Sequence, residues 1–115
     1  MIEDLKIKFQ DMGGATDLLC PRCGADLLHQ SAVTVFDRAE DEDTVVRTTV
    51  ADGTASMNLV SNSTENPSSR RHGLAIRFWC ESCCPEKSHD VIELTIAQHK
   101  GSTEIAWRYT ERKPA

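Results

Sequence analysis

The chain is 115 residues long, which fits one domain of ordinary size, so residues 1–115 are read as a single unit. Hydrophobic residues make up 39% and aromatics 5%, a composition that calls for a staple beyond its apolar core, and no apolar run nears the ~20 residues of a membrane-spanning helix. Thirteen Lys and Arg against 18 Asp and Glu give a net charge of -5, which opposes a protein that holds duplex DNA chiefly by neutralising phosphates.

The first ten residues mix charges among their apolar positions and lack the continuous apolar stretch of a signal peptide. Leu5, Ile7 and Phe9 share one face if extended, so residues 2–9 read as a short edge strand, with a helical turn as the alternative. Asp11-Met12-Gly13-Gly14 breaks this segment, and residues 1–16 are an N-terminal extension. Cys20-Pro21-Arg22-Cys23-Gly24 follows as a tight turn: Pro21 presets φ, and a glycine after the second cysteine permits a left-handed backbone.

Residues 31–37 and 44–50 are β-branched and alternating, which predicts two strands joined by the acidic turn 38–43. Asp52-Gly53 signals another turn before a short third strand over 56–60. Residues 61–69 form a polar loop. Over 73–79 Leu74, Ile76 and Phe78 share a strand face that runs into Cys80. Residues 91–98 and 103–109 predict a last hairpin about Lys100-Gly101, with Ile92, Leu94 and Ile96 on one face of the first strand and Ile105, Trp107 and Tyr109 on one face of the second. Residues 110–115 read as a frayed tail.

The five cysteines carry the clearest chemistry. Cys20 and Cys23 form one Cys-x-x-Cys pair, and Cys80 and Cys83 form another. Two such knuckles close one tetrahedral zinc site of four thiolates, in which the short spacing aims both sulfurs of a pair at one point. Cys84 is an alternative fourth ligand, although Cys83 matches the spacing of the first knuckle. His89 is a further nitrogen nearby, but four cysteines complete the site without it. Disulfides need an oxidising compartment and generally an even cysteine count, and a thioredoxin-like pair needs a βαβ context; neither setting is present in the sequence. A closed four-ligand zinc leaves no position for a reactive water, so one structural Zn²⁺ is expected, and a non-enzymatic protein with it. The chain has no Gly-rich phosphate loop, G-x-S-x-G or H-E-x-x-H, and its four histidines are scattered.

One further constellation bears on partners. Ser69, Arg70, Arg71 and His72 adjoin Arg77 in a segment free of acids over 70–77. Arginine forks match phosphate or carboxylate oxygens, so this segment is a candidate ligand or nucleic-acid contact, with Trp79 or Trp107 as a stacking face. The alternative is that Arg70 and Arg71 pair with the acids of residues 37–43 in the same molecule.

The strings CPRCGADLLHQSAVTVFDR, NPSSRRHGLAIRFWCESC and ELTIAQHKGSTEIAWR resemble a group of small zinc-ribbon proteins of bacteria and phages, over roughly residues 18–109. That resemblance implies a cytoplasmic metal-binding protein carried by a phage or mobile element, and the group has no assigned activity to carry over.

The sequence thus predicts an all-β domain, a zinc ribbon with an inserted antiparallel sheet. It predicts a binding module for a protein partner, such as a host complex met by a phage factor, acting as a monomer or homodimer away from membranes. The alternative is a nucleic-acid-binding ribbon using Arg70–Arg77.

Overall fold

The computed structural model describes residues 9–11, 16–85 and 90–111, and every regular element among them is a strand. In chain order these are β1 (Phe9–Asp11), β2 (Thr16–Leu18), β3 (Leu28–Asp37), β4 (Thr44–Ala51), β5 (Thr54–Ser61), β6 (Gly73–Cys80), β7 (Asp90–His99) and β8 (Ser102–Glu111). The β-branched runs dictate most of them, because branched side chains fit the pleated surface and crowd a helix. Between β4 and β5, Asp52 and Gly53 take φ of 52° and 75°, the left-handed pair that matches the twist of a two-residue hairpin. Lys100 takes φ 55° in the turn between β7 and β8.

Six strands form one antiparallel sheet in the order β5-β4-β3-β6-β7-β8, while β1 and β2 pair with each other apart from it. The all-β expectation therefore holds, and each strand expected between residues 31 and 109 exists, extended by one to three residues at its ends. The β3 strand gains Leu28–Gln30 through a bulge at Ser31, which shifts the register between Gln30 and Ala32. The extra residue switches the alternation, so Leu28, Gln30, Val33 and Val35 all lie on one face of the sheet.

That first face also carries Ile76, Phe78, Ile92, Leu94, Trp107 and Tyr109, through the pairings Phe78↔Ile92, Ile76↔Leu94, Leu94↔Trp107 and Ile92↔Tyr109. At the end of the sheet where β6 stops at Cys80, these residues make the core with Cys20, Cys80 and Cys84, and Leu18, Ala25 and Leu28 pack against it. Phe78 and Trp107 meet edge to face, with centroids 6.0 Å apart.

The second face is covered by polar chain. The 61–69 loop, expected as a polar loop, is nevertheless anchored and buries Asn66 and Ser68. A buried polar group is tolerated once it is hydrogen-bonded, and both of these are. Asn66 Nδ2 donates to Asn62 Oδ1 and to the Arg71 carbonyl, and Asn66 Oδ1 accepts the Ser68 N–H. Ser68 Oγ donates to the Gln98 carbonyl at 2.6 Å, fastening the loop to β7. Arg108 on β8 donates to the carbonyls of Thr64 and Glu65 while its Nε meets buried Glu93 at 3.0 Å. The expected strand over 2–9 and the tail fall largely outside the described residues, as does His89; Phe9 begins β1, and β8 continues through Glu111. No helix among the described residues is long and apolar enough to cross a membrane.

Candidate metal centre

The first knuckle is shaped by two backbone bonds. Cys20 N–H donates to the Ala25 carbonyl at 2.8 Å, and Gly24 N–H donates to the Cys20 carbonyl at 2.9 Å. Gly24 takes φ 78°, a conformation that disfavours a residue with a Cβ. The second knuckle repeats the pattern where β6 ends. Cys84 N–H donates to the Cys80 carbonyl at 3.2 Å, and Cys80 N–H donates back to the Cys84 carbonyl at 2.8 Å. Glu81 N–H reaches the Leu27 carbonyl at 3.2 Å, and Leu28 pairs with Cys80, so β3 ties one knuckle to the other.

Those bonds bring Cys20, Cys23, Cys80 and Cys83 together, with all four sulfurs within 4.8 Å of one another. Cys20 and Cys83 sulfurs are 3.5 Å apart, and Cys23 and Cys80 sulfurs 3.7 Å. A tetrahedral ion with ~2.3 Å bonds to sulfur has sulfur–sulfur edges of ~3.8 Å, so the cluster has the size one metal ion requires. The four cysteines can hold a single ion. Cys20 and Cys80 are buried and Cys23 and Cys83 exposed, which leaves one side of the cluster open to solvent.

Cys84 stands outside the cluster. It is buried in the core at 2% exposure, its sulfur 4.0 Å from Arg22 Nη1. Its backbone occupies the place in the second knuckle that Gly24 occupies in the first, four residues after the leading cysteine and bonded to that cysteine's carbonyl. Arg22, inside the first knuckle, lays its guanidinium over the Tyr109 ring at 4.4 Å.

The thiols differ in their environments. Burial pushes the Cys20 thiol up, and burial with three neighbouring sulfurs pushes Cys83 up further. Cys23 is lowered to about 7, first by the backbone N–H of Ala25 and then by the surrounding thiols. Four adjacent sulfurs cannot all ionise without a cation, and a divalent metal supplies that charge while displacing the protons.

The arginine segment meets the acidic turn of its own chain. Arg70 Nη2 lies 3.1 Å from Asp41 Oδ2 and 3.5 Å from Glu40 Oε1, and the Arg70 carbonyl accepts the Asp41 N–H at 2.8 Å. That ion pair raises the Arg70 pKa and holds the Asp41 carboxyl below its ordinary value. His72 Nδ1 accepts the Arg38 N–H at 3.1 Å, 3.3 Å from the Asp37 carboxylate. The Ser69 carbonyl accepts from Arg38, a buried arginine whose Nε also donates to the Glu42 carbonyl at 2.6 Å. Arg38 is the joint between the two segments that sequence reasoning missed; it reads as one charge in an acidic run, and its burial depends on residues thirty positions away. Arg71 contributes its backbone to the loop through Ser68 Oγ and Asn66.

Arg77 is not gathered with them. It projects from the second face of β6 toward Glu93, 3.8 Å away, about 14 Å along the strand from Gly73 at ~3.4 Å per residue. Trp107 is 1% exposed and offers no stacking face, while Trp79 is stacked on His29 at 4.1 Å and 8°. Comparison with protein-family models, with curated proteins and with solved structures yields no match to this chain.

Proposed function

We propose that the chain is a zinc-clasped binding module in which one structural Zn²⁺ is held by Cys20, Cys23, Cys80 and Cys83, and which acts by contact with protein rather than by catalysis. The observation that carries this reading is the four-sulfur cluster of tetrahedral size. Four thiolates fill the ion's coordination, so its contribution is folding free energy, ~10–16 kcal/mol of apparent binding in small zinc peptides. That is comparable with the ~5–15 kcal/mol net stability of a whole domain, which suits a sheet with so few aromatics. Both knuckles flank the main sheet, so the ion fastens the segment before β3 to the end of β6.

The protein-binding part of the reading is supported by the pairing of Arg70 with Glu40 and Asp41, which draws basic charge away from any nucleic acid. The sequence resemblance supports a cytoplasmic factor of a phage or mobile element acting on a host complex. Elemental analysis of protein purified without chelator tests the metal: one equivalent of zinc is expected, with at most one readily titrated thiol in the native protein and all five after denaturation with chelator. A metal-free protein that unfolds cooperatively would sink the reading. Oligonucleotide binding that weakens steeply with salt and fails in Arg70→Ala/Arg71→Ala would replace protein contact with nucleic-acid contact.

A further inference from the structure

The alternation of β3, β4 and β5 buries little of what it segregates. On the first face these strands present Val33, Val35, Val46, Thr48, Val50, Ala55, Met57 and Leu59; on the second, β4 and β5 present Val45 and Val60 beside Arg47, Thr49, Ser56 and Asn58, with Val45 buried. A predominantly apolar sheet face is ordinarily the covered one, yet here the second face buries Phe36 and Val45 while the more apolar first face is open. Met57 is 72% and Leu59 71% exposed, and Val35, Val46, Val50 and Ile105 are exposed with them. One row crosses every strand of the main sheet: Met57, Thr48, Val35, Leu74, Ile96 and Ile105 are successive cross-strand partners.

We propose that this face docks a second copy of the chain, sheet on sheet about a twofold axis. The proposal deepens the binding-module reading, on which it rests, by naming the partner. Width is the first argument. Six strands at ~4.8 Å spacing carry the row across ~24 Å, which a second sheet can cover and a single extended segment, one strand wide, cannot.

Charge is the second argument. Asp37 is the charged side chain described on this face of the sheet, it lies at the margin, and His72 is beside it. Most of the acids responsible for the net charge of -5 lie elsewhere, in the 40–43 turn among other places, and the register puts Asp90 and Glu111 at the Cys80 end of this face, away from the row, so two copies can meet over the row without desolvating opposed like charges. A charged peptide or a nucleic acid would find no complement. Area is the third. Six exposed large hydrophobics share this face, two of them more than two-thirds bare, which is more than the scattered single residues a monomer ordinarily leaves uncovered. A twofold operator suits the patch because it pairs one surface with itself.

Sedimentation equilibrium of the full, zinc-loaded chain tests this. The expected mass in the micromolar range is twice 12.8 kDa. Met57→Glu/Leu59→Glu should sediment as a monomer with unchanged zinc content and circular dichroism, because both side chains are mostly exposed in the protomer. Asn58→Glu, on the second face of the same strand, should remain dimeric. If the double glutamate variant misfolds, Met57→Ser/Leu59→Ser should raise the dimer Kd about tenfold or more through lost apolar burial. A wild-type monomer at all concentrations overturns the proposal, as does equal dissociation by Asn58→Glu or an unmoved Kd in the serine variant. A wild-type monomer that binds a hydrophobic dye only after deletion of residues 1–8 overturns it in favour of that segment. Zinc is measured in the same fractions: a metal-free folded dimer refutes the zinc reading alone, and a zinc-loaded monomer refutes the dimer alone.

Discussion

Cys80 and Cys84 exchange two backbone hydrogen bonds, at 2.8 and 3.2 Å, closing the turn that carries Cys83 out to the metal cluster and folds Cys84 into the core. Adjacent cysteines are thereby given different tasks by one turn. Cys84→Ala should keep one equivalent of zinc and cost about 1 kcal/mol of packing, the scale of a small deletion in a core. Cys83→Ala should lose the metal and, with it, the cooperative unfolding transition. Zinc content and chemical denaturation of the two variants side by side provide the check.

Gly73, where β6 begins, lies against the buried loop. A Cβ there would collide with Asn66 Oδ1 and come within 2.7 Å of Pro67 Cδ. Gly73→Ala should therefore push residues 66–68 off the sheet and destabilise by about 1–3 kcal/mol, the range for overpacked cores. Urea denaturation in excess zinc would measure it, and an unchanged midpoint would refute the close approach.

Glu93 and Arg108 form the inner ion pair of the second face, with side-chain exposures of 10% and 18%. Removing Arg108 leaves Glu93 only the longer contact to Arg77, and Arg108 also secures the Thr64 and Glu65 carbonyls. Arg108→Ala should cost about 3 kcal/mol, the low end for a broken buried pair because some exposure remains. Arg47→Ala, which loses a more exposed partner in Glu65, should cost less than 1 kcal/mol, about what surface pairs contribute. Equal midpoints for the two variants would contradict this ordering.

Asp41 titrates below its ordinary value because Arg70 bonds and attracts its charged form. A depressed folded pKa stabilises the protein above the unfolded value of ~3.9, and the contribution is lost as pH falls through the folded value. Asp41→Asn should be less stable than wild type at neutral pH, and the two should converge in acid. Thermal melts across pH would show it, and a difference that grows in acid would reverse the sign.

Metal removal is the strongest perturbation. Protons compete with the ion for all four sulfurs, so zinc retention should fall as pH drops below neutral, and a chelator should unfold the protein. Circular dichroism during chelator titration at pH 7 should show strand signal lost in step with zinc.

Much of this was legible in the residues, for identifiable reasons. Asp52-Gly53 announces its hairpin because few other pairs accept two left-handed φ values. Val33 and Val35 announce a strand because branched carbons crowd a helix. The two Cys-x-x-Cys spacings announce a knuckle each, because the spacing is the geometry. Asn66 and Ser68 were misleading: both are polar in a loop, and their burial depends on Gln98, Asn62 and the Arg71 carbonyl, which no local pattern reveals. Arg70 was ambiguous for the same reason, since its two acids arrive from a different hairpin.

Local sequence settled the strands, their turns and the pairing of sulfurs within each knuckle, since period, φ preference and spacing act over a few residues. Tertiary structure alone decided that β3 lies beside β6, that the two knuckles meet at one site while Cys84 turns into the core, and that the more apolar side of β4 and β5 faces outward. Those outcomes depend on which distant surfaces meet, and burial is a property of the meeting rather than of the segment.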